Sequence, residues 1–210
     1  MRNDRLLLDA AREVFAAHGA SASVALVAAR AGLGIGSLYR RYGSKTELLQ
    51  RLCVLSMQEA VDAATDALEL PDAADALAGY IRTCVALRIG SLSPLAGTIE
   101  TTPEMLSFAL RARDLHDRLV KRAHRDGRLR ADVTPMDINW LISQFARTSP
   151  VAEADDADRI LHQRLLGVAI DGLFTAEPSP LPGPPPTTAH YENRWHTARS
   201  DAGGPQPPAA

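Results

Sequence analysis

The sequence has few of the features that mark secreted, membrane-spanning or β-sheet proteins. Only two of its 210 residues are cysteine, and only 5% are aromatic. It contains no run of 18 or more apolar residues, so no membrane-spanning helix is expected. It also lacks convincing runs of alternating β-branched residues, which argues against a β-sheet protein. What remains is a chain with 46% hydrophobic residues, enough for one or two domains of roughly 100–200 residues each.

The cysteines and the first residues indicate the cellular compartment. Cys53 and Cys84 both fall in apolar helical patterns, as expected of buried thiols in a reducing compartment, and we expect no disulfide. Arg2, Asp4 and Arg5 give the chain a charged start that is unlike a secretory signal peptide. The sequence therefore predicts a cytoplasmic protein.

Charge is distributed unevenly, although the net charge is only −2. Residues 1–51 carry eight Lys and Arg against four Asp and Glu, a net of +4. Residues 52–174 carry thirteen Lys and Arg against eighteen Asp and Glu, a net of −5. Residues 175–210 carry two Arg against three acidic residues. A basic end on a non-basic body indicates a polyanionic partner for that end.

Apolar residues recur at helical spacing through most of the chain, and glycine or proline marks most of the expected helix ends. The sequence therefore predicts an all-α protein. The expected helices cover about 4–18, two short stretches within 23–42, 45–68, 72–90, a short part of 91–103, 103–126, 135–148 and 155–174.

Residues 23–42 have the pattern of a helix-turn-helix. Ser23 is suited to cap the first short helix, and Gly32 is suited to the turn because glycine reaches positive φ at little cost. Leu38 and Tyr42, four residues apart, should face inward. This motif places its second helix in the major groove of DNA. The expected DNA contacts are Ser23, Ile35, Gly36, Ser37, Tyr39, Arg40, Arg41 and Lys45.

Each of these residue types suits a contact with DNA. Ser37 can hydrogen-bond a phosphate or a base edge, and Tyr39 can hydrogen-bond a phosphate. Arg40 or Arg41 can pair with guanine or with a phosphate. Lys45 begins the next helix, whose free N–H groups form a phosphate clamp together with its ammonium group. The glycines at 32, 34 and 36 do not follow the spacing of a nucleotide-binding loop.

The segment AGLGIGSLYRRY at 31–42, followed by Ser44-Lys45 and Glu47-Leu48-Leu49, resembles the signature of the TetR family of bacterial repressors. The pattern of residues 7–19 is similar to that family's first helix. The match covers about residues 4–50 and is specific. Residues 126–135 and the ending Asp171-Gly172-Leu173-Phe174 are similar to the family's C-terminal domains, less specifically.

The resemblance implies a three-helix DNA-binding domain at 1–47 and a helical effector-binding and dimerisation domain at 48–174. It further implies a homodimer that binds a palindromic operator in double-stranded DNA and is released by a small-molecule effector. Two positions depart from the family pattern. Gly34 stands where Ser or Thr is usual, and Leu26 stands where an acidic residue is common, so we expect weaker helix capping with DNA binding retained.

The last helix is apolar around most of its circumference, which requires burial on more than one side. A second copy of the chain is the simplest partner, in agreement with the family, where the last two helices form the dimer interface. The expected interface residues are Leu141, Leu161, Leu165, Val168, Ala169 and Phe174.

Aromatic and methionine side chains at helical spacing either fill an ordinary core or line an effector pocket. Arg88 is either an ion-paired or snorkelling side chain or an anchor for an anionic effector, and His116 is either a hydrogen-bonded core residue or a pocket residue. The candidate pocket residues are Met57, Tyr80, Cys84, Arg88, Met105, Phe108, His116, Trp140 and Phe145.

Residues 175–210 are rich in Pro, Gly, Ser and Thr, which predicts a disordered tail. No residue arrangement in the chain suggests catalysis, and no His or Cys pair has metal-ligand spacing, so we expect neither an enzyme nor a cofactor. The sequence predicts a dimeric, ligand-responsive repressor. The alternative is a helical sensor or interaction module whose DNA binding is impaired by Gly34 and Leu26.

Overall fold

The computed structural model describes residues 2–92, 98–148 and 155–187. Within these ranges the longer regular elements are all α-helices, joined by turns and one short 3₁₀ turn at Gly19–Ser21. They are α1 (Arg2–His18), α2 (Val24–Arg30), α3 (Ile35–Tyr42), α4 (Lys45–Leu68), α5 (Ala73–Ala86), α6 (Pro103–Arg125), α7 (Pro135–Thr148) and α8 (Asp156–Asp171). The all-α prediction is confirmed, as are the predicted bounds of α4 and α7.

Side-chain caps explain where several helices begin. The Asp72 carboxylate accepts hydrogen bonds from the backbone N–H groups of Ala74 and Asp75 at the start of α5. These bonds to the charged form lower the pKa of Asp72. Thr102 caps α6 through a 3.2 Å bond from the Met105 N–H to its Oγ1. Each cap satisfies a backbone donor that the helix itself leaves unpaired.

Helix α4 connects two hydrophobic cores. Its first turns contribute Leu48, Leu49 and Leu52 to the core of α1, α2 and α3. From Val61 onward α4 belongs to a second core, which it shares with α5, α6, α7 and α8. One continuous helix thus links the N-terminal unit to the C-terminal unit. A rotation of α4 in one unit would therefore displace its side chains in the core of the other unit.

Two helices end earlier than the sequence predicts. α5 ends at Ala86 instead of Gly90, because the chain enters the left-handed region at Arg88, where φ is +56°. α8 ends at Asp171 rather than Phe174, and the Gly172 N–H bonds to the Val168 carbonyl. The short helix expected within 91–103 falls partly on residues 93–97, which lie outside the described residues.

The start of the predicted tail is fastened to the body. Arg130 holds Asp132 through two hydrogen bonds of 2.6 and 2.9 Å and also donates to the Ser179 carbonyl. Asp132 in turn accepts from the Leu181 N–H. The bond from Arg130 lowers the pKa of Asp132 to about 2. Residues 188–210 lie outside the described residues, so disorder there stays a prediction.

Candidate nucleic-acid interface

Buried apolar residues fix the crossing of α2 and α3. Val27 and Ala28 of α2 and Leu38 of α3 are almost fully inaccessible, and Tyr42 is also buried. The inward orientation predicted for Leu38 and Tyr42 is confirmed. Between the helices, Gly32 has a φ of +66°, a conformation that glycine adopts without steric cost. The two helices therefore have one defined angle, which leaves the opposite face of α3 in solvent.

That exposed face of α3 contains most of the expected DNA contacts. Ile35 and Tyr39 are 46% and 45% exposed, although both are large and partly apolar. Exposed large side chains on a short, rigidly held helix are typical of a contact surface rather than of a core. The other expected contacts on the exposed part of α3 are Gly36, Ser37, Arg40 and Arg41.

Ser37 and Arg40 contact each other on this face. The Arg40 Nη2 group donates a 2.8 Å hydrogen bond to Ser37 Oγ. Ser23 caps α2 as expected, since its Oγ accepts the Leu26 N–H at 3.1 Å. At Gly34 the cap of α3 lacks any side-chain hydrogen bond, as expected for glycine. Despite this, α3 spans Ile35–Tyr42 as a regular helix.

Lys45 lies at the positive end of α4, next to the surface of α3. Ser44 caps this end, because its Oγ accepts the Glu47 N–H at 3.1 Å. The Lys45 ammonium lies 5.9 Å above the centre of the Phe15 ring, within the range of a cation–π contact. The ring orients the ammonium beside the helix N-terminus. This combination of charge and helix dipole favours a phosphate.

Three of the candidate pocket residues meet between α5 and α6. The Tyr80 and His116 rings pack at a tilt, with their centres 5.6 Å apart, and both side chains are buried. The His116 Nε2 lies 3.0 Å from the Pro135 carbonyl. Burial lowers the pKa of His116 and, together with contact with Cys84, raises that of Tyr80. Burial also raises the pKa of Cys84 to about 12. All three groups are therefore uncharged at neutral pH.

The remaining candidates divide between two other places. Met57, Met105 and Phe108 share a small cluster next to α4, and Phe108 also borders the core of Tyr80 and Cys84. Phe145 meets His162 of α8, with ring centres 5.5 Å apart, and also packs against the core of Tyr80 and Cys84. Trp140 is only half-buried. The structure thus joins two subsets through Phe108 and places Phe145 at the edge of the same core, rather than gathering all nine residues.

Arg88 does not continue the apolar stripe of α5, contrary to the helical spacing on which its inward orientation was predicted. It lies beyond the helix end, in the left-handed region, and is half-buried. Partial burial lowers its pKa, with smaller opposing effects from Glu13 and Arg12 on α1. A charged neighbourhood on α1 favours the ion-paired interpretation over an effector anchor.

The exposed side of α8 is strongly apolar. Leu161, Leu165 and Val168 follow helical spacing and are 56%, 53% and 71% exposed. Leu166 and Ile170 on the opposite side are buried in the second core. The other expected interface residues, Leu141, Ala169 and Phe174, are half-buried. α8 thus has one apolar face in its own core and another in solvent.

Sequence reasoning missed the pair formed by the buried Arg12 and the partly buried Glu59. Arg12 lies on α1 next to the apolar stripe, and its Nη2 donates to Glu59 of α4 at 2.7 Å. The only available signal was an acid at 59 beside Ser56 and Ala60 in an otherwise apolar stripe. Such a position is compatible with a solvated edge as well as with a buried pair.

Neither metal binding nor membrane insertion is indicated by the described residues. Over 2–92, 98–148 and 155–187, no group of three His, Cys, Asp or Glu side chains is arranged to hold a metal ion. None of the helices in these ranges combines the length and hydropathy needed to cross a bilayer.

Two protein-family models match the chain, each over a different part. The family model described as "Bacterial regulatory proteins, tetR family" matches residues 7–52. A second model, described as "Transcriptional regulator SbtR-like, C-terminal domain", matches residues 72–175. The two matches cover the helix-turn-helix unit and nearly all of the second core. No curated protein is significantly similar to the chain.

Solved structures share the fold along most of the chain. The ketosteroid transcriptional regulator KstR2 of Mycobacterium tuberculosis aligns with a TM-score of 0.59 and 18% identity, covering 83% of this chain and 96% of that one. A TetR transcriptional regulator from Streptomyces coelicolor aligns with a TM-score of 0.55 and 23% identity, covering 82% and 99%. The TetR family transcriptional regulator PfmR from Thermus thermophilus aligns with a TM-score of 0.52 and 23% identity, covering 77% and 97%.

Proposed function

Because the chain belongs to the TetR family of bacterial transcriptional regulators, we propose that it is a dimeric repressor, released from a palindromic operator by a small-molecule effector. The observation that carries this proposal is the exposed face of α3. It offers hydroxyl, guanidinium and apolar groups on a helix whose other side is fixed in a core. Such a helix can enter the major groove without rearrangement of the domain.

Recognition and anchoring fall to different residues in this proposal. Ser37 and Arg40 contact base edges in the major groove. Arg41 and Tyr39 contact phosphates at the edge of the groove. Lys45 and the N–H groups at the start of α4 hold one phosphate and fix the depth of α3. Phosphate contacts supply affinity that depends on salt, whereas base contacts supply sequence preference.

The apolar face of α8 supports a homodimer. Leu161, Leu165 and Val168 form a stripe that water would cover in a monomer. A second copy related by a twofold axis would bury the same stripe on both chains. Two copies of α3 related in this way read two inverted half-sites, which makes the operator palindromic.

The junction of α5 and α6 supports the effector site. Tyr80, Cys84 and His116 provide polar atoms within an apolar core, and Phe108 connects this group with Met57 and Met105. Because the polar groups are uncharged and buried, an apolar or weakly polar effector with a hydrogen-bonding group suits them better than a strongly charged one.

Selection from a library of random DNA duplexes tests this function. The expected product is an inverted repeat bound by two chains per duplex, with the stoichiometry determined by light scattering of the complex. Recovery of unrelated sequences with equal affinity would refute the operator proposal and favour a sensor without specific DNA binding. Recovery of a single half-site bound by one chain would refute the dimer.

A further inference from the structure

The side chain of Arg12 lies buried where the N-terminal unit meets the C-terminal unit. The residue is only 6% exposed. Its Nη1 donates a 2.9 Å hydrogen bond to the Leu87 carbonyl just after α5, and its Nη2 bonds Glu59 of α4 at 2.7 Å. One guanidinium therefore joins α1, α4 and the end of α5. A residue of the DNA-binding unit thereby contacts the backbone of the effector unit.

The Leu87 carbonyl is a suitable acceptor for a cation. It lies at the C-terminal end of α5, where carbonyl groups lack helical partners and the helix dipole is negative. The chain then turns through Arg88, at a φ of +56°, and Gly90, at +91°. A Cβ added at Gly90 would come within 2.8 Å of Ser143 Oγ on α7. The turn after α5 is thus held between α1 on one side and α7 on the other.

The neighbouring residue on α1 connects the same helix to the DNA-binding motif. The Glu13 carboxylate accepts a 2.9 Å hydrogen bond from Arg30 Nε on α2. Consecutive residues of α1 point about 100° apart and therefore reach different neighbours. Arg12 reaches the effector unit, and Glu13 reaches the helix that packs on α3. A displacement of the α5 end would move α1 and, through α1, the motif.

We propose that Arg12 is a positioning residue that sets the orientation of the DNA-binding unit according to the position of the α5 end. α5 also carries Tyr80 and Cys84. A ligand that shifts α5 in the core would therefore move the Leu87 carbonyl, which accepts the hydrogen bond from Arg12. Loss of the guanidinium would leave the Glu59 carboxylate and the Leu87 carbonyl without this donor in a partly buried place. The DNA-binding consequence rests on the proposed function, whereas the orientation itself does not.

Distance measurements within one protomer test the orientation directly. Spin labels at Ala25→Cys on α2 and Arg113→Cys on α6 occupy exposed positions, one in each unit. The native Cys53 and Cys84 are buried, and burial raises their pKa values to about 11 and about 12, so they react slowly. The label pair is introduced into one chain and mixed with excess unlabelled chain.

The wild type is expected to give one narrow distance distribution, and Arg12→Gln a broader or displaced one. Arg130→Gln is the matched control, since it removes a similarly buried guanidinium that bonds a carboxylate and a backbone carbonyl within the C-terminal unit, away from the contact between the units. A folded Arg12→Gln protein with the wild-type distribution would overturn the proposal. If Arg12→Gln does not fold, Arg12→Lys decides, because a lysine ammonium lacks the forked geometry that lets Nη1 and Nη2 reach two separate acceptors. Broadening supports the proposal, and a wild-type distribution overturns it.

DNA affinity gives the second readout. For duplexes in which the half-site spacing differs by one base pair, the wild type is expected to prefer the selected spacing. Arg12→Gln is expected to reduce that preference by about fivefold or more, a typical magnitude of coupling between sites, whereas Arg130→Gln retains it. An unchanged preference in Arg12→Gln would count against the proposal. If the wild type itself binds no DNA, the proposed function fails, while the distance measurement still tests the role of Arg12.

Discussion

The Arg40 Nη2 group donates a 2.8 Å hydrogen bond to Ser37 Oγ on the solvent-facing side of α3. This bond holds the guanidinium against the helix and fixes the direction in which its other donors point. Two residues proposed to read the same operator are thus one hydrogen-bonded unit. Their contributions to DNA recognition should therefore depend on each other.

Replacement of either residue should lower DNA affinity and alter sequence preference, and the two effects should not add. We expect Ser37→Ala, Arg40→Ala and the double variant to give a coupling of about 0.5–3 kcal/mol, as is usual for groups in direct contact. Fluorescence anisotropy with the selected operator and with single-base variants measures it. Strictly additive losses would mean that the two side chains contact DNA independently.

Lys45→Ala should weaken binding to every DNA sequence by a similar factor. Because Lys45 is assigned to one phosphate, the slope of log K against log salt should decrease by about one unit. Titrations at several salt concentrations measure the slope. Lys121→Ala, at an exposed position of α6, is the control for loss of one positive charge. Equal slopes for Lys45→Ala and the wild type would remove the phosphate assignment.

Gly36→Ala should stabilise the fold and weaken DNA binding. Its backbone is compatible with alanine, since an added Cβ would make only an ordinary 3.6 Å contact with Arg40. A gain of about 1 kcal/mol in the free energy of unfolding is expected from helix propensity. The added methyl group, however, occupies the face that approaches DNA. Gly79→Ala in α5 is the control and should give similar stabilisation with unchanged DNA affinity. Tighter DNA binding by Gly36→Ala would contradict a close approach of the α3 backbone to DNA at this position.

Val168→Glu should convert the dimer to a folded monomer. Val168 is 71% exposed in the single chain, so a carboxylate there is tolerated by the protomer and excluded only by a partner. Light scattering after gel filtration gives the mass, and circular dichroism reports the fold. Leu106→Glu, at a 54% exposed leucine of α6, is the matched control and should remain dimeric. An unchanged dimer in Val168→Glu would place the interface elsewhere.

Stability should fall as the pH is lowered below about 6.5, partly because of His116. Burial lowers its pKa in the folded state, so between that value and about 6.5 the unfolded chain binds a proton that the folded chain does not. The melting temperature of His116→Gln, which retains a donor toward Pro135, should decline less over this range. Identical pH profiles for His116→Gln and the wild type would contradict the account.

The helix-turn-helix could be predicted because its signals are local. The cap at Ser23, the turn at Gly32 and the inward pair of Leu38 and Tyr42 all lie within twenty residues. The position of Lys45 at the start of α4, after the Ser44 cap, could likewise be predicted. Periodicity and proline positions also gave the ends of α4 and α7, since these ends depend on nearby residues.

The end of α5 could not be predicted from local sequence. The apolar pattern continues through Val85 and Ile89, and Gly90 is the first helix breaker. The local sequence therefore predicts one helix over residues 72–90. In the structure the helix stops four residues earlier, and Arg12 bonds the Leu87 carbonyl across 75 residues of sequence. A contact between residues so far apart in the chain does not alter the local pattern of apolar residues from which helix ends are predicted. The expectation that Arg88 points into the core failed for the same reason.

Binding of the selected operator across a salt series tests the central claim most directly. We expect fluorescence anisotropy to show nanomolar affinity for that duplex, at least about a thousandfold weaker affinity for a scrambled duplex, and a steep decrease of both with salt. Weak, equal binding to both duplexes at every salt concentration would contradict the account and leave a helical sensor that does not recognise a DNA sequence.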